Sequence, residues 1–328
     1  MNKQVSLELK GVAILMMVYL HLFNRKSNIG LVTDFCYIND VPLVYYIHYA
    51  THPVAFFLIL SGFGLFVNYE KNEMDKNRVY RNIRLYVHYV FITLIFKCIY
   101  DFFVGGGKLR LEDVFLNLTG LKTSWNNEAW FLLPFVCLSL MYPYIFRTIR
   151  KVPTFYIFIG GYIVYFIFSF LIGRFDAMHY SNQWLFLILC IGHFLPMFLY
   201  GAIMKKSNII AKNYSRFNSI TLLFFLLVLM LLRCLLHDLW WGPIYAFVFI
   251  LLFALIKHRG IINKVLAFLG SHSMNIWLIH TWYCYYIFHD QIYSLKYPFL
   301  IYAATFAISL LTSIAFDFLF GKLLNKYW

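Results

Sequence analysis

The sequence predicts an all-α, polytopic membrane protein with about ten transmembrane helices and both termini on the cytoplasmic side. Composition is the first observation behind this. Of 328 residues, 62% are hydrophobic and 13% charged, and mean hydropathy is +0.70. A soluble domain carries about 25% charged residues. No soluble core could bury so much apolar surface, so lipid must solvate much of it. The second observation is that apolar runs long enough to span a bilayer recur about ten times. The third is charge placement. Most of the 28 Lys and Arg fall between alternate runs, including Lys71, Lys76, Arg78, Arg81 and Arg84, then Arg147, Arg150 and Lys151, then Lys205, Lys206, Lys212 and Arg216, then Lys257, Arg259 and Lys264, and finally Lys322 and Lys326. The positive-inside rule puts these segments in the cytoplasm. The net charge of +14 is therefore topological, and no nucleic-acid partner is expected. The six cysteines are widely spaced, and five lie in apolar runs, where a thiol acts as a small hydrophobe. No disulfide framework and no metal site are expected.

The first run, residues 5–23, follows Lys3. No small-residue cleavage site comes after it, so it reads as a retained helix. Lys10 and His21 lie eleven residues apart, about three helical turns, on one face and separated by a rise of roughly 16 Å. An ionisable group inside a span is a functional candidate by default. His21 suits the role of general base for a hydroxyl and equally that of a structural hydrogen bond to a neighbouring helix; spacing does not separate the two. The second run, residues 52–69, contains Phe56-Phe57-Leu58-Ile59-Leu60-Ser61-Gly62-Phe63-Gly64. Its small residues fit close helix packing, or room for a ligand chain. Beyond it, Arg81 and Arg84 share a face at i,i+3. Two guanidinium forks there suit phosphate oxygens, as well as topological charge or lipid headgroups.

The third run, residues 85–104, carries Lys97 and Asp101 at i,i+4, an expected ion pair. Glu128 opens the fourth, residues 128–146, between Trp125 and Trp130. A carboxylate among aromatic rings can bind sugar, and it can equally be an acidic helix start. Runs five (154–173) and six (184–204) carry no candidate. The seventh, residues 218–236, ends in Arg233, His237, Asp238, Trp240 and Trp241, an aromatic interface anchor. The eighth, residues 242–257, is short and opens with Gly242-Pro243. The ninth, residues 272–289, places His280 mid-span, as a satisfied structural group or as a catalyst. Asp317 in the tenth, residues 298–320, is a candidate partner for it. No loop is long enough for a second domain, so residues 1–328 read as one. Walker loops, G-x-S-x-G elbows, H-E-x-x-H and dinucleotide fingerprints are absent.

Taken together, four segments resemble the membrane acyltransferase-3 family. Glu8-Leu9-Lys10-Gly11-Val12-Ala13-Ile14 with His21 is similar to that family's first helix, a basic residue followed by His eleven positions later. Phe56-Phe57 through Ser61-Gly62-Phe63 resembles its F-F-x-x-S-G-F motif, with one extra residue before the Ser. Arg81-x-x-Arg84 resembles its basic motif. Leu269-Gly270 through Ser273, Trp277, Leu278 and His280 is similar to its L-G-x-x-S-x-x-I-Y-L-x-H segment, with Trp for Tyr. Around Glu128 the chain departs from the family's W-S-L-x-x-E, being shorter. The resemblance implies O-acylation, commonly O-acetylation, of a surface polysaccharide or lipid-linked sugar. The donor it implies is acetyl-CoA or another acyl-CoA, arriving from the cytoplasm as a substrate, with no permanently bound cofactor. It implies catalytic roles for His21 and Lys10, donor binding by Arg81, Arg84 and Lys10, and support from Glu128, Trp125, Trp130, Ser61 and His280. The expected setting is the bacterial inner membrane, in contact with lipid. A flippase for lipid-linked sugars and a membrane polymerase are the competing readings. The first would show repeats and paired broken helices, the second a large charged outer loop, and the sequence carries neither.

Overall fold

A computed structural model of the chain describes residues 1–72, 77–106, 110–175, 183–213, 217–238, 240–257 and 260–326, with side chains as far as Phe320. Lys76, Arg216 and Arg259 lie outside the described residues, as do the side chains of Lys322 and Lys326.

The chain opens with α1 (Lys3–Phe23), capped by Asn2, whose side chain accepts from the Val5 N–H at 2.8 Å. At the far end of α1 come a short helix α2 (Lys26–Ile29), a hairpin of β1 (Tyr37–Ile38) and β2 (Val41–Pro42), and a short helix α3 (Leu43–Ile47). Asn39 and Asp40 turn the hairpin at φ 49° and 62°, the left-handed pair that a two-residue loop of this hand demands. α4 (Pro53–Lys71) starts on a proline, tolerated where the first N–H groups have no partner anyway. α5 (Arg78–Tyr100) runs into a π-helical turn, Asp101–Gly105. α6 (Leu111–Thr119) stops at Gly120, which adopts φ 75°. Beside it Lys122 donates to Asp113 Oδ1 at 2.7 Å, and that bond holds the Asp113 carboxyl below its usual range. A 3-10 turn, Asn127–Phe131, leads into α7 (Leu132–Ile149). α8 (Thr154–Arg174), α9 (Gln183–Lys206) and the short α10 (Ile209–Asn213) follow, then α11 (Ser219–Leu235) and α12 (Gly242–Leu255). α13 (Ile261–Thr281) continues as a π-helical segment, Trp282–Ile287. A short α14 (His289–Tyr293) precedes the last helix, α15 (Pro298–Lys326).

All ten apolar runs are helical. Among the described residues, seven helical stretches are long and apolar enough to cross a membrane. α11 and α12, at 17 and 14 residues, are shorter than the ~20 residues that span hydrocarbon without thinning it. α13 has the length but is broken by Asn263, Lys264, Ser271, His272, Ser273 and Asn275. The bundle resolves this, because α13 lies inside it and buries Ser273, Asn275, His280 and Thr281.

Two parallel helix pairs organise the interior, α1 with α13 and α4 with α9. Each touches backbone to backbone. A Cβ on Gly11 would sit 2.1 Å from the Leu266 carbonyl oxygen, and one on Gly270 would sit 1.9 Å from that of Leu7. Likewise a Cβ on Gly62 would sit 1.9 Å from the Phe198 carbonyl oxygen, and one on Gly201 would sit 1.9 Å from that of Ile59. Only glycine permits such approach, and small residues are what hold helices together where lipid competes equally for apolar side chains. Gly64, two residues on from Gly62, faces open space.

Lys97 and Asp101 form the ion pair their spacing predicts. Asp317 does not reach His280. It pairs instead with His272 at 3.1 Å and accepts from Asn275 at 2.8 Å, since α13 turns its His280 face toward α1 and its His272 face toward α15.

Candidate active site

The parallel pairing of α1 and α13 fixes the first feature of the site. It brings His21, in the last turn of α1, against His280, in the last turn of α13. The rings lie nearly parallel with centroids 4.9 Å apart, and His21 Nδ1 is 2.6 Å from His280 Nε2. Both side chains are buried.

The proton positions follow from the partners. His280 Nδ1 lies 2.9 Å from the Ile276 carbonyl oxygen. A carbonyl only accepts, so Nδ1 carries the hydrogen, and the neutral ring leaves Nε2 as an acceptor. His21 Nδ1 must then be the donor to it. The other ring nitrogen of His21, Nε2, stands 3.3 Å from Glu128 Oε2, and because a carboxylate only accepts, the two pair whenever Nε2 carries a hydrogen. Glu128 is fixed from its other side by Arg25, whose Nη2 donates to Oε1 at 3.1 Å. The Arg25 guanidinium lies 3.8 Å over the Tyr285 ring, and the Tyr285 hydroxyl donates to the His21 backbone carbonyl. The result is a line of groups, His280, His21, Glu128 and Arg25, in which a proton arriving on His21 Nε2 meets a carboxylate already oriented by a cation. A π-helical segment often marks a functional position. Here it swings Tyr285 and Tyr286 toward the site, and the Tyr286 hydroxyl accepts from the Asn127 N–H at 2.9 Å. Asn126, one position earlier, donates to the Leu278 carbonyl and accepts from Thr281, at 3.1 and 3.0 Å. These bonds tie the Glu128 loop to α13.

The second feature is a cavity of about 740 Å³ at the opposite, basic end of α1. Lys10, Arg78 and Arg81 line its mouth together with Lys3. Ser61 and Gly64 of α4 form one wall. Phe131 and Trp277 close its inner end. Trp277 is a partition between the two features, since its ring faces the cavity while its indole N–H donates to the Glu128 backbone carbonyl at 3.2 Å.

The structure thus brings His21, Glu128 and His280 together and gathers Lys10, Arg81 and Ser61 around the cavity. Arg84 is exposed and does not line it; Arg78, one α5 turn before Arg81, does. Trp125 lies over Lys97 at 5.5 Å, and Trp130 packs between Phe186 and Phe194, so neither touches the histidine pair. Arg25, Arg78, Asn126 and Tyr285 were not singled out from sequence. Arg78 reads there only as topological charge, and nothing local marks the other three. Among the described residues no group of histidines, cysteines and carboxylates could hold a metal ion. The arrangement can bind an anionic, elongated molecule at one end and deprotonate a hydroxyl at the other.

A family model described as an acyltransferase domain matches residues 6–318, nearly the whole chain. No protein of curated function and no solved structure matches it.

Proposed function

Because this chain belongs to the membrane acyltransferase-3 family, we propose that it moves an acetyl group from cytoplasmic acetyl-CoA to a hydroxyl of a surface polysaccharide or lipid-linked sugar in a bacterial inner membrane. The observation that carries the reading is a basic-mouthed cavity leading, past one tryptophan, to a histidine held between a second histidine and a carboxylate. Arg78, Arg81 and Lys10 supply donors for the phosphates of CoA, where guanidinium forks bind bidentately. The pantetheine arm lies along α1, which rises roughly 16 Å between Lys10 and His21. Its thioester reaches His21 where Trp277 and Phe131 give way.

The acceptor hydroxyl arrives from the other membrane face and hydrogen-bonds to His21 Nε2. As its oxygen attacks the thioester carbonyl, its proton moves to Nε2. Glu128, held by Arg25, stabilises the imidazolium. The tetrahedral intermediate collapses with cleavage of the C–S bond. The thiolate then takes the proton from His21, leaving CoA-SH and the O-acetyl ester, with His21 neutral again. Positioned proton transfer of this kind contributes about 10²–10⁴-fold in rate.

His21→Ala is the direct test. The O-acetyl content of surface polysaccharide should fall to the level of cells lacking the gene, with the variant present in membranes in normal amount. Unchanged acetylation in that variant would remove His21 from the chemistry.

A further inference from the structure

Asn82 of α5 is buried, at 4% exposure, and lines the cavity one residue from Arg81. Its amide is held in one orientation by a relay. Arg78 Nε donates to Ser139 Oγ at 2.6 Å. The Ser139 hydroxyl hydrogen is thereby directed onward, and Ser139 donates to Asn82 Oδ1 at 2.9 Å. This fixes the oxygen toward α7 and leaves the Nδ2 amino group as the other face of the amide. That nitrogen is buried and has no hydrogen-bond partner. Asn82 also borders a groove on the far side of α5, walled by residues such as Val79, Ile83, Val87 and Leu140, which presents only carbon there. An orphaned buried donor costs about 1–3 kcal/mol, and in native proteins such groups are few and call for a partner.

We propose that Asn82 is a donor-binding residue and that its missing partner is an amide carbonyl of the pantetheine arm. This rests on the reading that the cavity takes an acyl-CoA. Pantetheine is an apolar thread carrying two amides, which suits a cavity of mixed polarity. Asn82 sits at the level of the basic mouth, so it meets the amide nearer the phosphates rather than the one nearer the sulfur. Ser139 acts through it as a positioning residue, and Arg78 therefore serves twice, at the mouth and as the start of the relay.

The test measures affinity of the purified full chain for three donors: acetyl-CoA, S-acetylpantetheine and S-acetyl-N-acetylcysteamine, the last keeping only the amide next to sulfur. Asn82→Ala should weaken the first two by a similar factor, about tenfold for one lost hydrogen bond in a desolvated site, and leave the third unchanged. Arg81→Ala should weaken acetyl-CoA alone. Asn82→Asp keeps the shape but turns an acceptor where the donor was, and should repeat the pattern if the alanine variant fails to fold. Equal weakening of all three donors by these variants, or no weakening of acetyl-CoA, would overturn the assignment. If the wild type binds no acetyl-CoA, the donor reading falls with it. Wild-type binding that Asn82→Ala leaves intact removes Asn82 alone.

Discussion

In the proposed reaction, the hydrogen bond from His280 Nδ1 to the Ile276 carbonyl selects which nitrogen of His21 takes the proton. Remove the imidazole, and His21 loses the acceptor for its Nδ1–H and with it the reason to prefer one tautomer. His280→Ala should therefore lower kcat by at least about tenfold, less than the loss at His21 itself, while KM for acetyl-CoA stays put because His280 does not line the donor cavity. Steady-state kinetics on purified protein separate these. A KM effect without a kcat effect would assign His280 to donor binding instead. Sequence reading reaches part of this constellation. Lys10 and His21 declare themselves through shared helical phase, and a histidine or carboxylate inside an apolar run is conspicuous because desolvating it is costly. What spacing cannot show is that His21 meets His280, 259 positions away, or that Glu128 meets both His21 and Arg25. Asn126 and Tyr285 stay hidden for a different reason: polar loop residues and interfacial tyrosines are ordinary until a fold converges them.

At the scale of elements, some glycines seal helix pairs, while Gly64 keeps a cavity wall open. Gly62 and Gly64 stand two residues apart on α4 with opposite surroundings. Gly62→Ala drives a methyl group into the Phe198 carbonyl and should lower stability by about 1–3 kcal/mol, as overpacking does. A Cβ on Gly64 meets nothing within 4 Å and Gly64 lines the cavity, so Gly64→Phe projects its ring into that volume. It should leave the melting temperature in detergent within a degree or two and raise KM for acetyl-CoA severalfold. A Gly64→Phe protein with unaltered donor kinetics would place the donor elsewhere. In the sequence these positions look alike, since a small residue signals close packing and open space equally well. The ten apolar runs are plain there because length and hydropathy are local properties. The polarity of α13 is plain too, but its location inside the bundle is not, because burial by protein and burial by lipid draw on the same residues. Two strands of two residues each leave no alternation to read.

For the whole molecule, the arrangement has a direction. His21, Glu128 and the hairpin lie at one end, the basic mouth at the other. Charge bias assigns the basic end to the cytoplasm. Cys36 offers a check in a Cys98→Ser background: Cys36, beside the hairpin, and Cys98, on α5, are exposed, whereas Cys190 and Cys284 are buried. A membrane-impermeant maleimide should label intact cells through Cys36, and Cys36→Ser should abolish most of that signal. Labelling of Cys36 only after cells are broken would invert the molecule and with it the side from which the donor comes. The glycine contacts between α1 and α13 matter at this scale as well. Viewed mechanically, they make the two helices a single strut spanning the bilayer. When the surrounding lipid thins, thickens or bends, a strut tilts as one piece, so the gap between its two imidazoles is insulated from the membrane's own fluctuations. α5, which lines the proposed donor cavity and has no glycine at all, has no such brace. On the proposed function, the histidine pair is thus braced against the lipid, and sensitivity to the membrane falls to the proposed donor-binding half of the site.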